Sequence, residues 1–189
     1  MNIGIDIDDT ITNTFDYLMP YIAEYFNTDI KYLKTNNISY SNLPEEWKKK
    51  EFELAKTYYD KVILNTPIKL DAVKYIKKIK ELKHSIIIIT ARNTNMYVDP
   101  YKLSTEQLKK HGIYYDKLIC SFDKAKVCME ENIDLLIDDS IYNCALTNKL
   151  KIETLLFNCK SNNNIETRLT RVNNWKEVYD YIYERSIIK

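Results

Sequence analysis

The chain has 189 residues, with 28 Lys+Arg against 27 Asp+Glu, so it carries a net charge of +1 and has room for one domain with a small insert. That balance excludes the electrostatic footprint expected of a nucleic-acid or membrane-surface protein, and no apolar run approaches a membrane span. Only two glycines are present, which excludes a Gly-rich dinucleotide or P-loop fingerprint, and two histidines, His84 and His111, argue against a zinc site or a His-based triad.

The chain opens directly on a strand pattern, with no signal-peptide pattern before it. Ile3, Ile5 and Ile7 read as a strand, and Asp6, Asp8 and Asp9 crowd its carboxyl end before Thr10. Packed carboxylates repel one another unless a cation or a shared proton compensates them, and a hard cation such as Mg²⁺ suits oxygen ligands. An acidic turn after a strand is the plainer alternative.

Helical spacing follows, with Phe15, Leu18, Met19, Ile22, Tyr25 and Phe26 on one face, and Pro20 predicts a kink or restart. Residues 27–44 are polar and turn-rich. A second helical stretch over 44–64 carries Trp47, Phe52, Ala55, Tyr58 and Tyr59, and Pro67 ends it. Nothing here alternates like a strand, so 13–70 is expected to form a small helical cap inserted into a core of 1–12 and 71–189.

An alternation of helices and strands then begins. Residues 71–83 form an amphipathic helix with Val73, Ile76, Ile79 and Leu82 inward, and the run over 85–90 is apolar enough for a strand buried on both faces. Ser104 and Gln107 suggest a capping box for a helix that Gly112 stops. A third strand covers 117–120, a helix capped by Asp123 runs to 132, and a fourth strand ends at Asp138-Asp139-Ser140. A helix over 141–150, a fifth strand over 153–157, a polar loop over 158–170 and a closing helix over 175–187 complete the chain. His84 and His111 fall at polar helix ends and are expected at the surface. The cysteines Cys120, Cys128, Cys144 and Cys159 show no CxxC pairing and fit a reduced, cytoplasmic protein in which they serve as small hydrophobes. The fold expected is α/β: a doubly wound, parallel, five-stranded, Rossmann-like sheet.

In such a sheet ligands bind beyond the carboxyl ends of the strands. Asp6 and Asp8, then Thr90, Ala91 and Arg92, then Lys124, then Asp138 and Asp139 should therefore meet at one edge. Arg92 could equally be a surface arginine, and Lys126 reads as solvated.

This ordered set resembles the haloacid dehalogenase-like hydrolase superfamily. Its Asp-x-Asp-x-Thr motif is matched by Asp6-Ile7-Asp8-Asp9-Thr10, its Thr/Ser ending the second strand by Thr90, its Lys by Lys124, and its acidic pair by Asp138-Asp139. Asp9 stands where that family usually has Gly. The resemblance implies that Asp6 is a nucleophile forming an aspartyl-phosphate and that Asp8 is the acid and base. It also implies Mg²⁺ held by Asp6, the Asp8 carbonyl and Asp139, with Asp138 supporting the metal's waters, and phosphate bound by Thr90, Ala91, Arg92 and Lys124. The cap position, Leu135-Leu136-Ile137-Asp138-Asp139 and Asp123-Lys124 are similar to the 5'(3')-deoxyribonucleotidase group, although Thr90-Ala91-Arg92 replaces that group's Thr-Ser/Thr-Pro. The expected substrate is a small phosphomonoester, a (deoxy)nucleoside monophosphate first. A sugar phosphate, a nucleic-acid 3'-phosphate end, or a non-catalytic phospho-ligand module remain alternatives.

Overall fold

The computed structural model describes residues 1–187. Its sheet is built from β1 (Asn2–Ile5), β2 (Ser85–Thr90), β3 (Lys117–Cys120), β4 (Leu135–Asp138), β5 (Glu153–Phe157) and β6 (Thr170–Val172). All pairs are parallel and the strand order is β3-β2-β1-β4-β5-β6. The chain therefore winds outward in one direction from β1 and, from β4 on, in the other, with the reversal between β1 and β4. The sixth strand is a departure from the expected five. It is a three-residue edge strand reading Thr-Arg-Val, too short and too polar to stand out from the loop before it.

Side-chain alternation explains why β2 reads as unbroken isoleucine. Ile86 and Ile88 join the core on one face, while Ile87 and Ile89 join that on the other. The first face is covered by α5 (Ala72–Glu81) and α9 (Trp175–Ile187), the second by α7 (Lys124–Glu130). Gly4 lies on that second face, where an added Cβ would sit 3.0 Å from Ile89 Cδ1 and 3.2 Å from Leu136 Cδ1. Along α5 the buried stripe falls at Ala72, Tyr75, Ile76 and Ile79, so Val73, expected inward, is on the solvent side of the helix.

Residues 13–70 are helical. They form α1 (Thr14–Tyr25), α2 (Ile30–Thr35), α3 (Glu45–Lys48) and α4 (Glu51–Val62), with their own apolar cluster around Phe15, Leu18, Leu33, Leu54 and Tyr59. Pro20 does not break α1. It is exposed, as is Asp16 four residues earlier, so the carbonyl left without a partner faces water. The turn-rich stretch contains α2, which Asp29 caps by accepting from Lys31 N at 2.8 Å. The second expected helix is divided at Lys49 and Lys50 into α3 and α4. The segment returns where it left: Asn13 N donates to Pro67 O, Lys69 N to Ile11 O, and Thr12 bridges Ile68 antiparallel.

The helix α6 (Pro100–Lys110) is capped by Asp99. Ser104 and Gln107, read as a capping box, are instead buried within α6 and spent on tertiary contacts, Ser104 accepting from Arg92 and Gln107 donating to Ile63 O. His84 is likewise buried, with Ser186 Oγ at 2.8 Å from Nε2. The helix α8 (Ile141–Lys149) follows β4 and is capped by Ser140. All four cysteines are free, Cys128 and Cys144 being buried. Among the described residues no helix is long and apolar enough to cross a membrane.

Candidate active site

Because β1 lies between β2 and β4, the residues leaving the three strands converge. Asp6 follows β1 directly and its N–H donates to Ile137 O at 3.0 Å, extending the pairing by one residue. Asp138 ends β4, Thr90 ends β2, and Lys124 begins α7, which Asp123 caps through Lys126 N. Lys126 itself is solvated and pairs loosely with Glu130.

The charges are buried in pairs. Lys124 is 3 % exposed, and its ammonium is ion-paired to Asp6 and, at 2.6 Å, to Asp138. Burial alone would lower the lysine, yet the two carboxylates outweigh it and hold the ammonium charged far above its usual range. Asp6 is pushed up to about 7, chiefly by burial and then by its acidic neighbours Asp138 and Asp8, against the pull of Lys124. Asp138 also accepts from Ser140 N at 2.8 Å and from Asn143 Nδ2. Asp139 is raised well above the carboxylate range by burial and by the charges of Asp6 and Asp138.

Arg92 is neither a surface arginine nor free to reach outward. It is 2 % exposed, and Nε and Nη2 donate to the two oxygens of Asp8 at 2.9 and 2.8 Å, while Nη1 donates to Ser104. Thr14 Oγ1 donates to Asp8 as well, at 2.8 Å. Burial would raise Asp8, but the bidentate guanidinium overrides it and holds the carboxyl below its ordinary value. Thr90 is fully buried and its hydroxyl accepts from Arg92 N at 3.4 Å.

Asp9 adopts a left-handed φ of 56°, and its Oδ1 accepts from Phe15 N at 3.0 Å, serving the first turn of α1 that Asn13 leaves uncapped. The αL backbone is why glycine suits this position, and a short acidic side chain that can cap a helix is a workable substitute.

A cavity of about 510 Å³ opens over these groups. Asp6, Asp8, Asp9, Ala91, Arg92, Lys124, Asp138 and Asp139 line it, together with Tyr40, Leu43, Phe52 and Tyr59 from residues 13–70 and Met96, Tyr97 and Phe122 from core loops. Thr90 is not among the lining residues. Asn143, Tyr97 and Phe122 escaped the sequence reading, although Asn143 stands in the first turn of α8, right behind the acidic pair.

The donor set suits a hard cation. Asp6, Asp138 and Asp139 each bring a carboxylate oxygen within 4.8 Å of the others. Among the described residues Asp139 forms no ion pair, so the three carboxylates outnumber the single ammonium of Lys124. Excess negative charge, oxygen donors and burial are the conditions under which Mg²⁺ is held.

The sequence model of a family described as 5' nucleotidase, deoxy (pyrimidine), cytosolic type C protein matches residues 1–187. No curated protein matches the chain. Several solved structures share its fold. A predicted phosphatase from Clostridium acetobutylicum superposes with a TM-score of 0.67 at 15% identity, covering 97% of this chain and 98% of its own. A HAD family hydrolase from Deinococcus radiodurans R1, solved with bound phosphate and sodium, gives 0.68 at 7% identity over 97% and 95%. A haloacid dehalogenase-like family hydrolase from Streptococcus pneumoniae gives 0.65 at 13% identity over 95% and 97%.

Proposed function

The chain belongs to the 5' nucleotidase, deoxy (pyrimidine), cytosolic type C family, and from that premise we propose that it hydrolyses nucleoside monophosphates, deoxy forms included, through a phosphorylated Asp6 with Mg²⁺ as cofactor. Membership makes it a hydrolase of phosphomonoesters. The observation that supports the finer reading is that Asp6, Asp8, Lys124, Asp138 and Asp139, from three separate segments, line one cavity.

In this reading a carboxylate oxygen of Asp6 attacks phosphorus while the ester P–O bond breaks. Asp8, which Arg92 holds below its ordinary value in the resting site, must first take up a proton; it gives that proton to the departing oxygen, then takes one from a water that attacks the phosphoryl-Asp6, releasing phosphate and regenerating the carboxylate. Lys124 and the Ala91 backbone hold phosphoryl oxygens as charge spreads over them, and the buried Thr90 hydroxyl, which accepts from Arg92 N, braces the turn that presents Ala91. Arg92, whose fork is engaged by Asp8, contributes by aiming that carboxyl. Mg²⁺, when held by Asp6, Asp139 and the Asp8 carbonyl, offsets the repulsion between carboxylate nucleophile and phosphate dianion. Asp138 keeps Lys124 and the start of α8 in register with the site.

A cavity of about 510 Å³ with aromatic walls fits a small flat ligand, and helices 13–70 act as the cap that keeps bulk water from phosphoryl-Asp6. The free cysteines fit a cytoplasmic protein. Kinetics with Mg²⁺ over a panel of nucleoside monophosphates, sugar phosphates and 3'-phosphorylated oligonucleotides test the proposal. Nucleotides should rank first in kcat/KM. Sugar phosphates ranking above them would reject the nucleotidase reading, and preference for the oligonucleotide would mean an end-processing enzyme.

A further inference from the structure

The edge strand β6 carries one arginine, and that arginine reaches back toward the acidic pair. Arg171 pairs with Leu156 of β5, and its guanidinium lies against the loop that joins the two strands. Nη1 donates to Asn162 Oδ1 at 2.8 Å and to Asn158 Oδ1 at 3.0 Å, and Nη2 donates to Asn162 O at 2.8 Å and to Ile165 O. Asn162 is 2 % exposed, and its amide nitrogen donates to Asp139 O at 2.7 Å and to Phe157 O at 2.9 Å. The same loop supplies Cys159, whose thiol donates to Asp139 Oδ2 at 3.4 Å and whose N–H donates to Asn162 Oδ1.

Asp139 is the first residue beyond β4, so the sheet ladder no longer holds it. Asn162 replaces that ladder by tying Asp139 to the end of β5. The amide can do this in one orientation only: a guanidinium donates and never accepts, so Asn162 Oδ1 must face Arg171 and its NH₂ must face the two carbonyls. Flipped, an amide oxygen would confront two carbonyl oxygens in a buried place.

We infer that Arg171, acting through Asn162, is a positioning residue that fixes the Asp139 carboxylate for the cation. The inference rests on the reading of Asp139 as a ligand. Residues behind a metal ligand orient it, and losing one typically weakens metal affinity roughly 10–100-fold.

The test uses the full chain and Mn²⁺ alone, with free Mn²⁺ followed by electron paramagnetic resonance and thermal unfolding run alongside. Arg171→Lys, which keeps the charge and loses the fork, and Arg171→Ala should each raise the Mn²⁺ Kd about tenfold. Asn162→Asp, which replaces the donor by an oxygen, should do more. In hydrolysis of p-nitrophenyl phosphate, the Mg²⁺ concentration for half-activation should rise, while kcat at saturating Mg²⁺ recovers. A folded Arg171→Lys protein with a Kd within about twofold of wild type would overturn the inference, and so would loss of kcat that Mg²⁺ cannot restore. Should Arg171→Ala fail to fold, Arg171→Lys and Asn162→Asp carry the measurement. Asp139→Ala separates the two levels. If it leaves Mn²⁺ affinity unchanged, the ligand reading fails and the inference falls with it. If it abolishes binding while the Arg171 variants do not weaken it, only the inference fails.

Discussion

On the sheet side of the cavity, charged groups are tied to one another: Lys124 to Asp6 and Asp138, Arg92 to Asp8, Asp138 to Ser140 and Asn143. On the side of residues 13–70, holding is apolar and aromatic. Phe26 stacks on Trp47 at 4.3 Å, Phe15 meets Tyr40 edge-on, and Tyr59 leans on Tyr97. Polar ties from this segment to the core gather at its two ends and along α6: Thr14 to Asp8, Phe15 N to Asp9, Lys69 N to Ile11 O, the Thr12–Ile68 bridge, Gln107 and Lys110 to the turn at 63–65, and Val98 N to Asp60. Directional bonds fix a carboxylate to a fraction of an ångström, which bond-making chemistry demands, whereas aromatic packing tolerates change of shape. The rate should therefore be decided on the sheet side and the choice of substrate on the helical side.

The largest effect expected on the first side is at Asp6. Asp6→Asn keeps the size and removes the attacking anion, so hydrolysis of every substrate should fall by several orders of magnitude with the fold retained. Wild-type turnover from this variant would end the division of labour at once.

The acidic pair sharpens the contrast inside the sheet side. Asp138 is fully buried beneath Lys124, and Asp138→Ala strands part of a buried ion-pair set, which typically costs about 3–5 kcal/mol. Among the described residues Asp139 forms no such pair, so Asp139→Ala should spare the melting temperature and raise the Mg²⁺ requirement. Activity should need Mg²⁺ and vanish with chelator, and Ca²⁺, with its larger and more flexible coordination, should inhibit. Equal metal titrations for the two variants would remove the distinction between them.

Across the cavity, Phe52 of α4 and Phe122 of the loop before α7 line the opening and remain largely exposed. Stacking of a base on such a ring is worth about 1–3 kcal/mol. Phe52→Ala should thus cost roughly tenfold in kcat/KM for nucleotides and little for p-nitrophenyl phosphate, leaving stability nearly unchanged. A uniform loss over all substrates would mean that the helical side takes part in the rate after all.

What the sequence made legible follows the same line. Ile3 to Asp9, Ile86 to Thr90 and Leu135 to Asp139 are apolar runs ending in polar residues, and such runs declare both a strand and the chemistry at its end. Three of the four superfamily motifs sat on those runs, with Lys124 at the start of α7, so a candidate site could be drawn before the fold. Ser104 and Gln107 were misread, and Asn162 and the tie of Arg92 to Asp8 were passed over, because their partners lie far along the chain, and a tertiary hydrogen bond leaves no periodic trace. The edge strand β6 was hidden for a related reason: three residues, one of them the arginine that serves the loop, carry no alternation to detect.

The remaining effect is on stability alone and concerns the junction of the two regions, where Asp9 links the sheet-end turn to the start of α1. Its φ of 56° disfavours most side chains, and its Oδ1 serves Phe15 N. Ala loses both the tolerance and the cap and should cost about 2 kcal/mol; Gly keeps the tolerance and should cost less. Asn keeps the acceptor and sheds the charge. Burial, only partly offset by the Phe15 N–H, raises the Asp9 carboxyl from 3.8 to about 6. A carboxyl raised on folding binds its proton more tightly in the native state, so its ionisation destabilises the fold progressively as pH climbs from the unfolded value through the folded one. Asp9→Asn should therefore match wild type near pH 4 and exceed it in melting temperature above about pH 7, with chelator present in both cases. A variant that kept wild-type stability near pH 4 and lost it above about pH 7 would show that the charge of Asp9, rather than its acceptor, joins the two regions.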